Sequence, residues 1–220
     1  MGKKKQKNPI TPVAPCLYPF LKKPDTRWKN EGEYKVSLVF DQDDDFIGKV
    51  EAKAKKEFAL KKKDMKPADA KKVEYVSPVK VEVDDDDKET GNVRLSFKSN
   101  AQFTDKKTDE VVKVKMKIFD AQGKAITDIP NIGNGSKLAI AFKAVGSVIK
   151  DRKGNIDFYL SLWMNAVQLV ELIEYNPDGS SFGFGKEEGG YEHEEEVDGS
   201  DFDNAVHGKT EEEPDDDLDF

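Results

Sequence analysis

The sequence predicts a mainly β protein: a small antiparallel barrel with one inserted helix and a disordered acidic C-terminal tail. Three observations lead there. Several short runs alternate apolar and polar residues, one run has helical spacing, and the last part of the chain nearly lacks aliphatic side chains. Residues 1–30 carry Lys3, Lys4, Lys5 and Lys7, followed by Pro9, Pro12, Pro15, Pro19 and Pro24. Prolines at that density fix φ and remove donors, so an extended basic arm is expected rather than a helix. The barrel is expected over 31–175. Its first strand is Glu33 to Asp41, with Tyr34, Val36, Leu38 and Phe40 on one face and Lys35 and Ser37 on the other. Phe46 to Lys63 follows as a helix, because Ile47, Val50, Ala54 and Phe58 recur at helical spacing. Asp43, Asp44 and Asp45 precede it and lysines lie towards its end, both favourable to the helix dipole. Further alternating runs are Tyr75 to Val83, Val93 to Ser99, Val111 to Phe119, Lys137 to Lys143, and Ile156 to about Glu174, separated by polar turns.

Charge divides the chain more sharply than its net value of −8 suggests. Residues 176–220 hold 17 acidic side chains against Lys186 and Lys209, while the remainder has 34 basic and 27 acidic residues. A basic body carries an acidic tail; the body suits a polyanion and the tail can imitate one. The longest uncharged stretches, Asn8 to Leu21 and Phe158 to Val170, have 14 and 13 residues, short of the ~20 needed to cross a membrane as a helix. No apolar region follows the basic start, so no secretory leader is expected. One cysteine, Cys16, excludes an internal disulfide framework and fits a reducing compartment. The two histidines, His193 and His207, lie in the tail, which argues against zinc sites and histidine-based triads.

The outward strand faces carry the chemistry. Val93, Leu95 and Phe97 point inward, leaving Arg94, Ser96 and Lys98 outside. In Val111 to Phe119 the alternation turns Val112, Val114, Met116 and Ile118 inward and Lys113, Lys115 and Lys117 outward. Three lysines on alternate positions repel one another unless an anion neutralises them. With Arg94 and Lys98 on an adjacent strand they form a cationic sheet face; an edge strand protected by lysine is the plainer alternative. In the last strand, Tyr159 and Trp163 face outward if Phe158, Leu160 and Leu162 face the core. Rings beside cations suit unpaired bases, because stacking is indifferent to base identity while lysines hold phosphates. Trp28, between Arg27 and Lys29, has the same character, and Lys137 completes the set of candidate nucleic-acid contacts. Packing against the helix or a second subunit is the competing role for each ring.

Enzymatic alternatives are weaker. Asp41, Asp43 and Asp45 begin like a calcium loop, but Phe46 stands at the glycine position and Ala52 at the terminal glutamate position. Asp84 to Asp87 could hold Mg²⁺ in a nuclease, although a solvated turn explains it more simply. Gly133-Asn134-Gly135-Ser136-Lys137 lacks the spacing of a phosphate loop and precedes a strand. No catalytic residue, metal or cofactor is therefore expected. The tail ends in Asp215, Asp216, Asp217, Leu218, Asp219 and Phe220, an acidic run closed by an aromatic anchor for a basic, apolar pocket on a partner. Tethered to a cationic body, it would also compete with nucleic acid. A DNA mimic that sequesters basic proteins, with the barrel as carrier, is the alternative.

Several separated segments, in order, resemble the single-stranded DNA-binding proteins of podoviruses of the T-seven type. They are Lys22-Lys23-Pro24-Asp25, Gly32-Glu33-Tyr34-Lys35-Val36, Phe97 to Lys107, Ile129 to Lys137, Ala166 to Leu172, and the acidic end with its terminal phenylalanine. The resemblance implies an OB-fold, a five-stranded Greek-key barrel with an inserted helix, and a homodimer. It implies sequence-independent binding of single-stranded DNA in phage replication, recombination and repair, with promotion of strand annealing, in the cytoplasm of the infected bacterial host. It further implies that the tail contacts the replicative DNA polymerase and the helicase-primase, and that Gly133, Gly135 and Ser136 form a structural turn. The loop Ala144 to Asn155 departs from the family, carrying lysines and an arginine in place of aromatic residues.

Overall fold

In a computed structural model, residues 8–175 are described apart from 84, 85 and 87. Lys3 to Lys7, most of the Asp84 to Asp87 run, and the whole tail including Asp215 to Phe220 lie outside the described residues. The elements are β1 (Ala14–Asp25), β2 (Glu33–Asp41), α1 (Asp45–Lys63), α2 (Pro67–Ala70), β3 (Val73–Val76), β4 (Val79–Val83) and β5 (Glu89–Asn100). They continue with β6 (Gln102–Thr104), β7 (Val111–Lys113), β8 (Ile118–Phe119), β9 (Lys137–Lys150) and β10 (Ile156–Glu171).

Five strands close a ring. β1 pairs with β2 and β9, β2 with β5, β5 with β10, and β10 with β9. Within the ring every pairing is antiparallel except β5 with β10, which run parallel at Leu162↔Phe97 and Trp163↔Lys98; outside it, β3 and β8 also pair with β10 in parallel. An all-antiparallel barrel was the expectation. The parallel closure arises because the long excursion between β5 and β10 lets the chain re-enter alongside β5 in the same direction. This is the five-stranded Greek-key barrel of the OB-fold. Its interior is filled by the inward set of each strand: Val36, Leu38, Leu95, Phe97, Phe158 and Leu162 are all at most 2% exposed.

The helix sits where its pattern places it. Asp44 accepts from the Phe46 N–H at 2.7 Å as N-cap, Lys61, Lys62 and Lys63 occupy the last turn, and Ile47, Val50 and Ala54 are buried. Its Phe58 ring lies 5.3 Å from Phe158, and Phe46 meets Phe142 edge-on at 6.2 Å, so α1 covers the β9–β10 side of the core.

Three sequence expectations change. Residues 14–25, assigned to the arm, form β1 of the barrel, because Cys16 and Leu21 supply buried side chains, Pro15 falls at the start of the strand, and Pro19 and Pro24 fall where the β1–β2 register shifts. Tyr75 to Val83 is two strands broken at Ser77-Pro78, where proline withholds a ladder donor. Val111 to Phe119 also splits. Val111–Lys113 pairs with β6 in a separate two-stranded ribbon, the Val114 N–H donates to the Ala101 carbonyl, and Ile118 joins β10. Met116 and Ile118 are buried as the alternation requires, but Val112 is exposed.

Candidate nucleic-acid interface

Register, more than any motif, assembles the outer face. Lys143 on β9 lies opposite Trp163 on β10, Trp163 is level with Lys98 on β5, Lys98 is opposite Lys35 on β2, and Lys35 is opposite Phe20 on β1. One row therefore crosses all five barrel strands with cations and rings interleaved. The Lys98 ammonium stands 5.3 Å from the Trp163 ring centre, and Arg27 and Lys35 stand 5.1 and 5.0 Å from that of Phe20. Alongside this row the β2–β5 pair places Ser37 opposite Ser96, their hydroxyls 2.9 Å apart, and Arg94 lies opposite Lys80 of β4. A groove of about 440 Å³ runs over Tyr18, Phe20, Lys35, Lys80 and Arg94.

Two cross-strand pairs in this face, Lys35–Lys98 and Lys80–Arg94, juxtapose like charges, which is unfavourable for folding. Asp25 relieves only one corner. Its buried carboxylate binds the Arg27 guanidinium at 2.9 and 3.0 Å and also pairs with the Lys35 ammonium. Hydrogen bonds from Arg27 and then Lys35 hold its pKa well below the usual carboxylate range. The folded state thus releases this proton more readily than the unfolded chain. The resulting stability is complete above the ordinary carboxylate range and is lost as pH falls below it. Asp25→Asn is expected to lower the melting temperature at neutral pH, and the gap from the parent protein should narrow as pH falls from about 5 towards about 2. Melts at a series of pH values read this directly; a constant gap would contradict it.

Tyr18 reaches the groove through a backbone irregularity. The β1–β2 register shifts between Leu17 and Phe20, and Tyr18, ahead of Pro19, has φ of 52° while its ring is exposed. A left-handed tyrosine stores strain, and the neighbouring turn holds it there. The Asn134 side chain accepts from the Tyr18 N–H at 2.7 Å, and the Gly135 N–H donates to the Cys16 carbonyl at 2.8 Å. Gly135 has φ of 86°, and a Cβ at Gly133 would come within 2.9 Å of the Ile173 carbonyl, so the turn needs both glycines. Ser136 is buried and its hydroxyl bonds the Ile173 backbone. Cys16, packed behind the turn, has its thiol pushed up to about 11 by burial and carries no reactive thiolate.

Of the residues singled out from sequence, Arg94, Lys98, Tyr159 and Trp163 share this face. Tyr159 pairs with Ser147, and its hydroxyl donates to Asp157 at 3.1 Å, which raises its pKa. Lys113, Lys115 and Lys117 are exposed but do not lie on a strand adjacent to β5. Lys113 ends β7 in the β6–β7 ribbon, and the chain then runs through Lys115 to re-enter beside β10, where the Lys117 carbonyl accepts from the Val167 N–H. Lys137 lies six residues from Lys143 along β9, roughly 20 Å away, and is paired with Glu171 at 2.7 Å. Trp28, 89% exposed, projects from the β1–β2 loop whose Lys29 reaches Asn100. Tyr18, Phe20, Lys35, Lys80 and Lys143 escaped the sequence argument. Lys35 was already on an outward face; its importance came from what stood opposite. Among the described residues no cluster of three or more His, Cys, Asp or Glu is arranged to hold a metal ion.

The family model described as "Single-stranded DNA-binding protein, Bacteriophage T7" matches residues 13–172. Among curated proteins, the single-stranded DNA-binding protein of Enterobacteria phage T3 is 33% identical over 139 residues, 59% of this chain and 55% of that protein. That of Escherichia phage T7 is 30% identical over 133 residues, covering 57% and 53% respectively. The chain thus spans about half the length of the curated relatives it matches. The crystal structure of gp2.5, a single-stranded DNA-binding protein encoded by bacteriophage T7, superposes with a TM-score of 0.63 at 25% identity, over 86% of this chain and 99% of that one. A barrel closed in this order and a family match running from the residue before β1 to the residue after β10 agree: the chain belongs to the bacteriophage T7 single-stranded DNA-binding protein family.

Proposed function

We propose that this protein binds single-stranded DNA without sequence preference on the face that joins Lys143, Trp163, Lys98, Lys35 and Phe20. The row itself carries the reading. Five register-matched positions put the Trp163 ring between the Lys143 and Lys98 ammonium groups and the Phe20 ring beside that of Lys35, so bases can stack while lysines neutralise phosphates. The face of barrel strands two and three, here β2 and β5, is the surface OB-folds use for oligonucleotides. Trp28 and Arg27 sit in the loop between barrel strands one and two, within reach of the same strand. Like-charged pairs that disfavour the free protein become favourable once phosphates lie between them. None of these groups is asked to break a bond; the role is binding, in the cytoplasm of the infected bacterial host, during replication, recombination and repair.

The acidic tail from residue 176 supplies regulation in this proposal. It competes with DNA for the cationic face in the free protein, and when displaced it offers Asp215, Asp216, Asp217, Leu218, Asp219 and Phe220 to the replicative DNA polymerase and helicase-primase. The protein acts as a homodimer. Fluorescent oligonucleotide titrations of the full chain and of a form ending at Tyr175 test this. Truncation is expected to tighten binding at least tenfold at low salt, with the difference shrinking as salt screens both partners. Equal affinities would remove the tail from the competition, and no binding by either form would favour the DNA-mimic alternative.

A further inference from the structure

The row does not stop at Lys143. Beyond Phe142, β9 loses its neighbour on the side away from β10, because the backbone pairing with residues 9–11 ends at the bond from the Phe142 N–H to the Pro9 carbonyl. There a second groove opens, about 1040 Å³, between β9, residues 8–12 and helix α1. Lys143 forms part of its wall, and Lys49 and Lys53 of α1 form another part, with Phe46 and Ala144 below. Helical spacing then carries the lysines onward, since Lys49, Lys56 and Lys63 recur every seven residues and share one stripe with Lys53. All four are exposed; Lys49, Lys56 and Lys63 lie on the side away from the buried Ile47, Val50 and Ala54, and Lys53 flanks that buried face. Lys53 pairs with Glu57 at 2.7 Å, while no ion pair joins Lys49, Lys56 or Lys63 to a described acid. Asp44 and Asp45 also border the groove; the Asp44 carboxylate is engaged by the Phe46 N–H, and Asp45 sits in the first turn of α1.

We infer that α1 is a second contact surface for the same single strand: DNA leaving the row at Lys143 passes through this groove and continues along Lys49, Lys53 and Lys56. This rests on the binding face proposed above and extends its length. The helix stripe presents no ring comparable with Trp163 or Phe20, so it holds phosphates and leaves bases unread. Its reach of 14 residues from Lys49 to Lys63 is about 21 Å of helix, comparable with the width of the barrel row itself. The acidic tail is the competing occupant of so cationic a stripe. Continuity favours DNA, because Lys143 belongs both to the row and to the groove.

The test uses the full chain with Lys49, Lys53 and Lys56 replaced together by glutamine, a substitution neutral in helix propensity at exposed positions. Affinity is measured against oligothymidylates of about 6 and about 16 nucleotides, the span of sites seen on single OB-folds. The parent protein is expected to bind the longer strand more tightly and with a steeper salt dependence. The variant should bind the short strand unchanged, lose most of the advantage of the long one, and show a long-strand salt slope shallower by about 2. Unchanged binding at both lengths would overturn the inference and leave the row intact. An equal loss at both lengths would also overturn it, assigning the helix to the tail, whose release then burdens the row whatever the length of strand. Trp163→Ala, run in parallel, separates failure of the row from failure of the extension, since it should weaken both lengths.

Discussion

Trp163→Ala is expected to weaken single-stranded DNA binding roughly tenfold to a hundredfold, corresponding to the ~1–3 kcal/mol of one base–ring stack. The ring lies on the outer face of β10, between Lys143 and Lys98 in the ladder, with the Lys98 ammonium 5.3 Å from its centre. No charge is removed by the change, so the slope of log affinity against log salt should stay where it was while the whole line drops. Lys98→Gln has the opposite signature, a slope shallower by about 0.7 with a smaller change at low salt. Fluorescence titrations at several salt concentrations distinguish the two. Trp163→Ala with parental affinity would take the stacking platform off this row.

The largest expected effect on stability belongs to Phe158→Ala, at about 3–5 kcal/mol. Phe158 is fully buried where four elements meet: its ring stacks on Tyr75 of β3, lies against Phe58 of α1, and closes on Gly146 of β9. The Phe158 ring fills the space a side chain at Gly146 would need, and glycine has none to move into it, so the cavity left by alanine cannot be refilled from there. Domains of this size are stable by only ~5–15 kcal/mol, so the loss is a large fraction of the whole. Urea unfolding should show the midpoint falling with little change in slope. A shift below about 1 kcal/mol would mean that α1 is not held by this ring cluster.

The two variants mark the two levels at which the molecule is organised. Phe158 could be picked from sequence because period-two alternation from Ile156 to Leu162 separates core from surface without knowledge of neighbours. Trp163 was exposed by the same alternation, but its partners were not. Lys98 stands beside it only because β5 and β10 pair in parallel, and Lys143 only because the β9–β10 register carries it there. Lysine spacing in Val111 to Phe119 gave the opposite result. Its period of two is real for Met116 and Ile118, yet residues 114–117 leave one sheet for another, so the lysines do not join Arg94 and Lys98 as a neighbouring strand. Tyr18 escaped notice because its exposure depends on a bulge and on Asn134, 116 positions away along the chain.

Local pattern alone determined that this is a β protein with one capped helix, which side of each long strand is wet, and that a basic body carries an acidic end. Those properties follow from periodicity and composition, which each segment holds by itself. Only the tertiary structure decided which wet positions become neighbours. Ring closure turned Phe20, Lys35, Lys98, Trp163 and Lys143 into one row, and helix docking set Lys49 and Lys53 beside its end. The physical reason is that lateral register between distant strands is fixed by core packing and turn geometry summed over the whole barrel, a quantity no single segment contains.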